Sequence, residues 1–394
     1  MKKKDVTMIN LAGRRVILRL DLNVPIEDGK ILDDSRIIAA LDTIKYLRSK
    51  NAKIIIISHL GRPDALIKSE YSLLPVKKRL EYLIGDSILF AKDHIGSDAF
   101  TKSSNLKNSQ ILLIENIRFD KREESGCDFF AQQLSKLGEV FIFDAFGVSH
   151  RNHASVSKIG KYLESGMGFL IKKEIKAFND IMNIARQGDS LAIIGGKKVK
   201  DKLILIRNII KNVNVIIISG AMSYTFLKAD GFNVGKSIVD ETLLKEAKEV
   251  LVLANKKGVK VILPIDHICN TDANSTKPPV YFKQAIEDEY MGLDVGPQTL
   301  KLYSETIKKA KSIIWNGPIG LFENKLYSNG TFKTAKMISK SSGFSYVGGG
   351  DTAYALRKSG YNKNINYISS GGGASLSLLK GEVLPGIEGL EDAE

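Results

Sequence analysis

The stretch SYVGGGDTAYAL, residues 345–356, contains a strand signal, a loop signal and a helix signal in direct succession. An aromatic residue and a valine predict a buried strand, and three consecutive glycines predict a tight loop. Asp351 and Thr352 then predict the start of a helix. A glycine-rich turn before a helix presents backbone N–H groups to a phosphate. The stretch therefore indicates a βα unit whose loop either holds phosphates or is only a helix cap or a tight turn.

The same order of strand, loop and amphipathic segment recurs about ten times along the chain. The predicted strands are RRVILRL, AKIIIIS, QILLIEN, EVFIFDA, SLAIIG, NVIIIS, KVILPI, SIIWN, SYVGG and INYISS. They lack regular polar alternation, which is typical of strands buried on both faces of a parallel sheet. We therefore predict an α/β fold.

The chain length predicts two domains, because 394 residues exceed the size at which a single core usually keeps growing. The segment FLIKKEIKAFNDIMNIARQG, residues 169–188, has apolar residues at helical spacing and no internal proline or glycine. We expect this segment to form a connecting helix that contains the domain boundary.

The loops after the predicted strands differ between the two halves of the chain. Those of the first half carry Asp21, Asn23, His59, Arg62, Arg118, His150 and Arg151. Those of the second half carry Gly195, Gly196, Lys198, Gly220, Asn316, Gly317 and Gly348 to Gly350. Ligands of open α/β sheets bind beyond the carboxyl ends of the strands. Arginine side chains suit a small anion, and glycine turns before helices suit phosphates.

Some of these motifs also have purely structural interpretations. The stretch SHLGRPD, residues 58–64, is compatible with a simple turn that leaves Arg62 solvated. In IIGGKKVKDK, residues 193–202, Lys198 and Lys202 share one helix face, which is compatible with an exposed helix start. Lysines are unfavourable at the positive end of a helix dipole, however, so an anionic ligand is the better explanation.

Two further motifs leave alternatives open. In WNGPIGLFE, residues 315–323, Asn316 and Glu323 suit contact with a ribose or a metal-bound phosphate, or capping of a helix. In HRNH, residues 150–153, two histidines are three residues apart, but no third ligand for a metal is evident in the sequence.

A dinucleotide-dependent dehydrogenase is the first alternative enzyme class. Gly348, Gly350 and Ala353 fit the pattern G-x-G-x-x-G/A. That pattern requires an acidic residue about 20 positions downstream, and the sequence has none between Thr352 and Lys380. The loop also lies late in the chain, so a nicotinamide or flavin enzyme is disfavoured.

A basic nucleic-acid-binding protein is the alternative from a different class. The formal net charge is +14, which would favour polyanions. The lysines are nevertheless dispersed over helix-like segments without interleaved aromatic residues, so we expect no nucleic-acid partner. A basic field would equally attract small phosphorylated substrates.

Cysteine content and hydrophobic patterning predict a cytoplasmic location. Cys127 and Cys269 are far apart and suggest neither a disulfide framework nor a metal site. The first residues have no apolar stretch of secretory length, and the apolar runs are of strand length, so we expect no membrane segment.

No general base stands out in the sequence. A phosphoryl acceptor that is already an anionic carboxylate needs none, because positioning and charge neutralisation can then carry the catalysis.

At this point the sequence closely resembles the phosphoglycerate kinase family. The motifs that carry the resemblance occur in family order over nearly the whole chain: RLDLNVP (19–25), SHLGRP, ENIRF, FDAFGVSHRNHAS, GGKKVKDK, GAMSYTFLKA, MGLDVGPQT, WNGPIGLFE, YVGGGDT and SSGGGASLSLLKGEVLPG (369–386).

The resemblance implies two doubly wound, Rossmann-like parallel-sheet lobes joined by an interdomain helix. We accordingly expect a phosphoglycerate-binding lobe over residues 1–170, a connecting helix over 171–186, a nucleotide-binding lobe over 187–372 and a tail over 373–394 that returns to the first lobe. The implied reaction is the reversible transfer of the acyl phosphate of 1,3-bisphosphoglycerate to magnesium-bound ADP, giving ATP and 3-phosphoglycerate. A monomer is expected, because a closing two-lobed kinase needs free lobes.

The resemblance also assigns residues to roles. The phosphoglycerate would be bound by Asp21, Asn23, Arg36, His59, Arg62, Arg118 and Arg151. The nucleotide would be surrounded by Lys198, Lys202, Gly220, Gly292, Asn316, Glu323, Gly348, Gly349, Gly350, Asp351 and Thr352. Asp351 would hold the magnesium of the Mg-nucleotide. Arg36 and Lys198 are our candidates for stabilising the charge of the transferring phosphoryl group.

The chain departs from the usual family pattern at several positions. Lys197 stands where alanine is usual, Ser377 where glutamate is frequent, and Ser219 and Ala221 where glycines are frequent. Asp64 and Ala65 follow the GRP turn, where a glycine is common soon after. None of these replaces a residue assigned to the chemistry, so we expect activity to survive.

Overall fold

The chain folds into two compact units, seen in a computed structural model that describes residues 3–393. One unit extends to Ile175 and includes the chain from Val383 onward, and the other is Lys176–Glu382. The division falls inside the helix Phe169–Ala185, which lies within the predicted connecting segment 169–188.

The first unit is built on a six-stranded sheet in which all neighbouring strands pair in parallel, in the order β5-β6-β4-β1-β7-β8. A short antiparallel hairpin, β2-β3, lies outside this sheet. The strands are β1 (Arg15–Leu20), β2 (Ile26–Glu27), β3 (Lys30–Ile31), β4 (Lys53–Ile57), β5 (Leu89–Ala91), β6 (Ile111–Ile114), β7 (Val140–Asp144) and β8 (Glu164–Met167). The helices are α1 (Ser35–Ser49), α2 (Leu74–Ile84), α3 (Ser97–Ser104), α4 (Lys121–Glu124), α5 (Asp128–Ser135) and the dividing helix α6 (Phe169–Ala185).

The second unit has a similar six-stranded parallel sheet, in the order β11-β10-β9-β15-β16-β17, and a three-stranded antiparallel sheet, β13-β12-β14. The strands are β9 (Ser190–Ile194), β10 (Val215–Ile218), β11 (Lys260–Ile262), β12 (Asp266–Asn270), β13 (Val280–Lys283), β14 (Met291–Val295), β15 (Ser312–Asn316), β16 (Phe344–Gly348) and β17 (Tyr367–Ile368). The helices are α7 (Val199–Ile209), α8 (Ser223–Ala229), α9 (Leu244–Lys256), α10 (Pro297–Lys309), α11 (Asn329–Ser339), α12 (Gly350–Ser359) and α13 (Gly372–Lys380).

The order of strands reverses once in each parallel sheet. In the first, the chain moves outward from β1 on one side and then crosses to β7 on the other side. In the second, it moves outward from β9 and then crosses to β15. Such a reversal opens a crevice at the carboxyl ends of the central strands, and this is where doubly wound folds bind their ligands.

The cores explain why the central strands lack polar alternation. The side chains of Ile54–Ile57 in β4 and of Leu112–Ile114 in β6 are fully buried, as are Ile216–Ile218 in β10. Branched apolar side chains on both strand faces are covered by helices, which is the arrangement expected of a parallel sheet. The predicted α/β fold class with two doubly wound sheets is confirmed.

All ten predicted strands lie in the two parallel sheets, but other strands were missed. The edge strand β8 has the sequence ESGM, which carries no β-branched residue. The antiparallel strands β12 to β14 include DHICN and MGLDV, whose mixed composition gives no strand signal. These strands form because a neighbouring strand pairs with them, and local propensity does not report such pairing.

The C-terminal tail packs on the first unit from Val383 onward. The N–H of Gly386 donates to the carbonyl of Ser149, and the N–H of Glu391 donates to Ser165 Oγ at 3.1 Å. A short final helix, α14 (Pro385–Glu388), lies in this tail, whereas α13 belongs to the second unit.

Within residues 3–393, none of the helices combines the length and the apolar character that crossing a membrane requires.

Candidate active site

The first candidate site is a cavity of about 520 Å³ at the carboxyl ends of β6, β4, β1 and β7, four adjacent strands of the first sheet. Its lining is dominated by charged and polar side chains. The lining residues are Asp21, Asn23, Arg36, His59, Gly61, Arg62, Arg118, Glu124, Gly147, Val148, His150, Arg151 and His153. All seven residues expected to bind phosphoglycerate are thus brought together here.

Acidic side chains hold two of the arginines in this cavity. Arg36 Nη1 donates to Asp21 Oδ1 at 2.7 Å, and Arg118 Nε lies 3.1 Å from Glu124 Oε1. Asp21 is itself nearly buried, so its carboxylate gives Arg36 a fixed position at the start of α1. These two arginines are therefore oriented before any ligand arrives.

The turn that carries Arg62 is clamped through the backbone of Gly61. Asn23 Oδ1 accepts from the Gly61 N–H at 2.8 Å, and Arg118 Nη1 donates to the Gly61 carbonyl at 2.8 Å. Gly61 has a φ of +61°, and a Cβ at this position would collide with the Tyr71 ring. Glycine is therefore required for the turn that leaves Arg62 exposed at the cavity.

Two histidines of the cavity, His59 and His153, are kept neutral. Burial lowers the pKa of His59 well below 6.5, and the positive charges of Arg19, Arg118 and Arg36 lower this pKa further. Burial, followed by the charge of Arg118, lowers the pKa of His153 to about 4. His59 and His153 therefore add no positive charge to the cavity at neutral pH, whereas its arginines do.

The second candidate site is a cavity of about 300 Å³ in the second unit, near the carboxyl ends of β9, β10 and β15 and along β14. Its lining is mainly glycine and apolar. The lining residues are Gly196, Lys197, Gly220, Ala221, Ser223, Tyr224, Ile238, Ala273, Met291, Gly292, Leu293, Asp294, Val295, Pro318, Ile319, Gly320, Leu321, Glu323 and Asp351. A flat apolar base and a sugar suit such a surface better than a small anion does.

Backbone segments approach one another closely at this cavity. A Cβ on Gly220 would collide with the backbone N of Gly196, and a Cβ on Gly195 would collide with the carbonyl of Pro318. Gly220 also has a φ of +68°. The loops after β9, β10 and β15 can therefore meet only because glycine stands at these positions.

The GGG loop leads into α12. Gly349 precedes the helix with a φ of +102°, and Gly350 is the first helical residue. Thr352 Oγ1 accepts from the Gly317 N–H at 2.7 Å, which ties the start of α12 to the loop after β15. Asp351 lies exposed in the first helical turn. This geometry presents backbone N–H groups at a helix N-terminus, as an anion site requires.

A buried lysine and asparagine lie behind this loop. Lys202 Nζ donates to the Asn316 carbonyl at 3.3 Å and to Asn316 Oδ1. Burial lowers the pKa of Lys202 to about 8, while the charges of Asp201 and Asp351 oppose this shift. Among the described residues, Asn316 Nδ2 is a buried donor without a hydrogen-bond partner. An unpaired buried donor is costly, so this nitrogen is available to an acceptor on a ligand.

The residues expected to surround the nucleotide are not all in the cavity. Gly220, Gly292, Glu323 and Asp351 line it. The others lie outside its lining, at or just before the start of α7, at the ends of β15 and β16, and at or just before the first turn of α12: Lys198, Lys202, Asn316, Gly348, Gly349, Gly350 and Thr352. Lys197, and not Lys198, lines the cavity, and Lys198 is the exposed residue directly before α7.

Several lining residues were not among the predicted site residues. Tyr224 and Asp294 lie in motifs of the second half, GAMSYTFLKA and MGLDVGPQT, so a signal existed. Ile238 and Ala273 lie in segments without any motif and could not have been found. Gly147 is required because a Cβ there would collide with Asp21 Oδ2, which only the tertiary structure reveals.

The HRNH histidines belong to the arginine-lined cavity and to no metal cluster. His150 and His153 line the first cavity. In the described part of the chain, no group of three His, Cys, Asp or Glu side chains is arranged to hold a metal ion by itself.

The family follows from a comparison of the whole chain. The family model described as phosphoglycerate kinase matches residues 6–382. The chain belongs to the phosphoglycerate kinase family. The resemblance carried by the motifs is thereby confirmed, and the dinucleotide-dependent alternative is excluded.

Individual relatives agree over their full length. The phosphoglycerate kinase of Clostridium kluyveri is 43% identical over 395 residues, with 99% of each chain covered. That of Clostridium botulinum is 42% identical over 394 residues, again with 99% of each chain covered.

Solved phosphoglycerate kinase structures have the same fold. The structure from Coxiella burnetii superposes with a TM-score of 0.90 at 34% identity, and that from Pyrococcus horikoshii with 0.84 at 30% identity. Both comparisons cover 98% of this chain and 98% of the other.

One departure from the family pattern has a visible structural consequence. Asp64 and Ala65 have φ angles of +53° and +60°, so both lie in the left-handed region that favours glycine. A glycine at either position would adopt such a φ without strain, so this chain carries strain that a glycine would relieve.

Proposed function

We propose that this chain transfers the acyl phosphate of 1,3-bisphosphoglycerate to magnesium-bound ADP, reversibly giving ATP and 3-phosphoglycerate. The proposal rests on the presence of two differently lined cavities, one in each unit of this member of the family. An arginine-lined cavity lies at the strand-order reversal of one parallel sheet, and a glycine-lined cavity lies at the reversal of the other.

The first unit would be the phosphoglycerate lobe, expected over residues 1–170. The arginine side chains offer planar forks that match carboxylate and phosphate oxygens. Three other residues would complete the set. Asn23 would orient the turn at Gly61, Asp21 would hold Arg36, and His59 would donate a hydrogen bond to the ligand. Arg62 and Arg151 are exposed at the cavity, so their charges are accessible to an entering anion.

The second unit would be the nucleotide lobe, expected over residues 187–372. The base and ribose would occupy the apolar cavity between Gly220, Gly292 and Glu323. The phosphates would meet the N–H groups at Gly349 to Thr352, together with Lys198, Lys202 and the free Asn316 Nδ2. The helix between the two lobes, residues 171–186, and the tail complete the proposed division. The tail was expected over 373–394, but only its part from Val383 onward groups with the first unit, because α13 packs within the second.

Magnesium would arrive as part of the nucleotide substrate. Magnesium is usually bound by one or two carboxylates together with substrate phosphates, and it keeps several water ligands. Asp351 fits this mode, because it is an exposed carboxylate in the first turn of α12 and also lines the nucleotide cavity. The ion neutralises phosphate charge when bound.

The chemistry requires no general base in either direction. In the direction of ATP formation, the bond between phosphorus and the acyl oxygen breaks, and a β-phosphate oxygen of ADP forms the new bond to phosphorus. The leaving group is the carboxylate of 3-phosphoglycerate, which needs no proton. Arg36 and Lys198 would stabilise the charge on the transferring phosphoryl oxygens.

Three further properties are part of the proposal. The donor and acceptor sites lie on different compact units, so transfer requires the lobes to close and bring the ligands together. We propose a monomer, for which a stable dimer in sedimentation would be contrary evidence. We also propose a cytoplasmic location, supported by two free cysteines.

A coupled assay of ATP and 3-phosphoglycerate consumption, with and without magnesium, tests the proposal. Turnover should require magnesium, and Asp351→Ala should lower the turnover rate by at least about 100-fold. Asp272→Ala, which removes an exposed carboxylate outside both cavity linings, is the matched control. Absence of turnover in the parent chain would refute the proposed function, and salt-sensitive binding of nucleic acid would then support the alternative.

A further inference from the structure

A buried network of three residues lies beside the phosphoglycerate cavity without lining it. Arg19 Nε donates to Ser155 Oγ at 2.8 Å, and Ser155 Oγ donates to Glu123 Oε1 at 2.7 Å. The N–H of Ser155 also donates to Glu123 Oε2 at 2.9 Å. Arg19 is 1% exposed and Glu123 is fully buried, so each charge compensates the other within the protein.

Arg19 of this network also contacts His59, which does line the cavity. Arg19 Nη2 lies 3.3 Å from His59 Nδ1, and His59 is 2% exposed. A guanidinium has only donors, so a hydrogen bond between these atoms requires His59 Nδ1 to be the acceptor. A neutral imidazole whose Nδ1 accepts carries its proton on Nε2.

We propose that Arg19 is a positioning residue that holds His59 as the neutral tautomer protonated on Nε2. His59 Nε2–H then serves as a directed donor to an oxygen of the anion in the cavity. The inference rests on the proposed function only for the identity of that anion.

The surroundings of His59 Nε2 leave it available to a ligand. The nearest carboxylate oxygen, Asp21 Oδ1, is 4.0 Å away, which is too far for a hydrogen bond, and it already accepts from Arg36. Arg19, Arg118 and Arg36 all oppose a positive charge on His59, as does burial. The arginines therefore supply the charge, while His59 supplies a fixed direction.

Imidazole nitrogen NMR tests the tautomer directly. The parent chain would be labelled with ¹⁵N-histidine, and the signals of His59 among the five histidines would be assigned from their loss in His59→Gln. At pH 7 we expect an unprotonated Nδ1 and a directly bonded proton on Nε2. A proton on Nδ1, or on both nitrogens, would overturn the proposal. This result does not depend on turnover, so it separates failure of this inference from failure of the proposed function.

Variants test whether Arg19 causes the tautomer. Arg19→Met removes the donor, and Arg19→Met with Glu123→Gln removes both buried charges in case the single variant does not fold. We expect a mixture of tautomers, an increase of about tenfold in KM for 3-phosphoglycerate and a much smaller change in kcat. Arg19→Lys retains a cationic donor and should preserve more of the Nε2–H tautomer than Arg19→Met.

Arg48→Met is the matched control, because Arg48 pairs with Asp86 at 2.6 Å in the same unit and lines neither cavity. It should leave both the His59 tautomer and KM unchanged. If the charge-balanced double variant also retained the Nε2–H tautomer and the parental KM, Arg19 would have no positioning role.

Discussion

The two cavities occupy equivalent places in two similar sheets, but they are built from different groups. The first presents arginine, histidine and asparagine side chains that carboxylates and backbone groups hold in place. The second is shaped by glycines that lie so close to neighbouring backbone atoms that a Cβ at those positions would collide with them. In the proposed function, one fold holds an anion through side chains in one unit and a nucleotide through its backbone in the other. The following substitutions test this contrast.

The largest effect is expected from a charged side chain in the glycine-built region. Lys198→Ala should lower kcat by about 100-fold to 1,000-fold, because the cation proposed to stabilise the transferring phosphoryl group would be lost. Nucleotide affinity should change by less than about tenfold, since the backbone N–H groups remain. Stopped-flow turnover and calorimetric titration with MgADP measure the two quantities.

Lys197→Ala is the control for Lys198→Ala. Lys197 lines the cavity but is not assigned to the chemistry, so the kcat of Lys197→Ala should stay within about threefold of the parent value. Equal losses of kcat in the two variants would show that Lys198 has no special role.

A methyl group at a close backbone approach should give the next largest effect. Gly220→Ala should lower the unfolding free energy by about 3 kcal/mol and weaken nucleotide binding, because its Cβ would collide with Gly196 N. Gly258 has nearly the same φ, +69° against +68°, but open space around its Cβ position.

Gly258→Ala should therefore cost only the backbone strain, about 1 kcal/mol, and leave nucleotide binding intact. Denaturant unfolding and MgADP titration of both variants make the comparison. If Gly220→Ala and Gly258→Ala were equally destabilised, glycine would be required at Gly220 by its positive φ and not by the close approach of the Gly196 backbone.

A smaller effect is expected from one arginine of the first cavity. Arg62→Ala should weaken 3-phosphoglycerate binding by about tenfold, because several other cations remain in the cavity. Calorimetric titration with 3-phosphoglycerate measures this, and MgADP affinity serves as the internal control. Unchanged phosphoglycerate affinity would show that the first-half loops have been misassigned.

The smallest effect concerns the strained turn beyond Arg62. Ala65→Gly should raise the unfolding free energy by about 0.5 kcal/mol, because relief of a left-handed φ outweighs the added chain entropy of glycine. Ala39→Gly, at a partly exposed position inside α1, should instead lower it by about 1 kcal/mol. Denaturant unfolding measures both, and a destabilised Ala65→Gly would indicate that Ala65 makes contacts that outweigh its strain.

Much of the fold was predictable, since strands buried on both faces must be apolar throughout. The runs IIII at 54–57 and VIII at 215–218 needed no partner to be identified. The short strands β5 and β8 and the antiparallel sheet were missed, because pairing with neighbouring strands forms them.

The two sites were predictable to different extents. Residue type alone pointed to His59, Arg62, Arg118 and Arg151, since few other roles place such side chains after buried strands. Arg36, at the start of α1, was assigned only through the family resemblance. The glycines gave a weaker signal, because a glycine marks a turn as readily as a binding loop. The roles of these residues in binding and catalysis stay a prediction.

The sequence by itself determined the alternation of buried strands and helices, the contrast between charged and glycine-rich loops, and the family. These properties are written in local composition and spacing, which folding does not change. Only the tertiary structure decided which loops share a cavity, that Lys197 lines one while Lys198 does not, and that Arg19 lies against His59. Such relations join residues far apart in the chain, and they arise from the order in which strands pair and the distances at which backbones can approach.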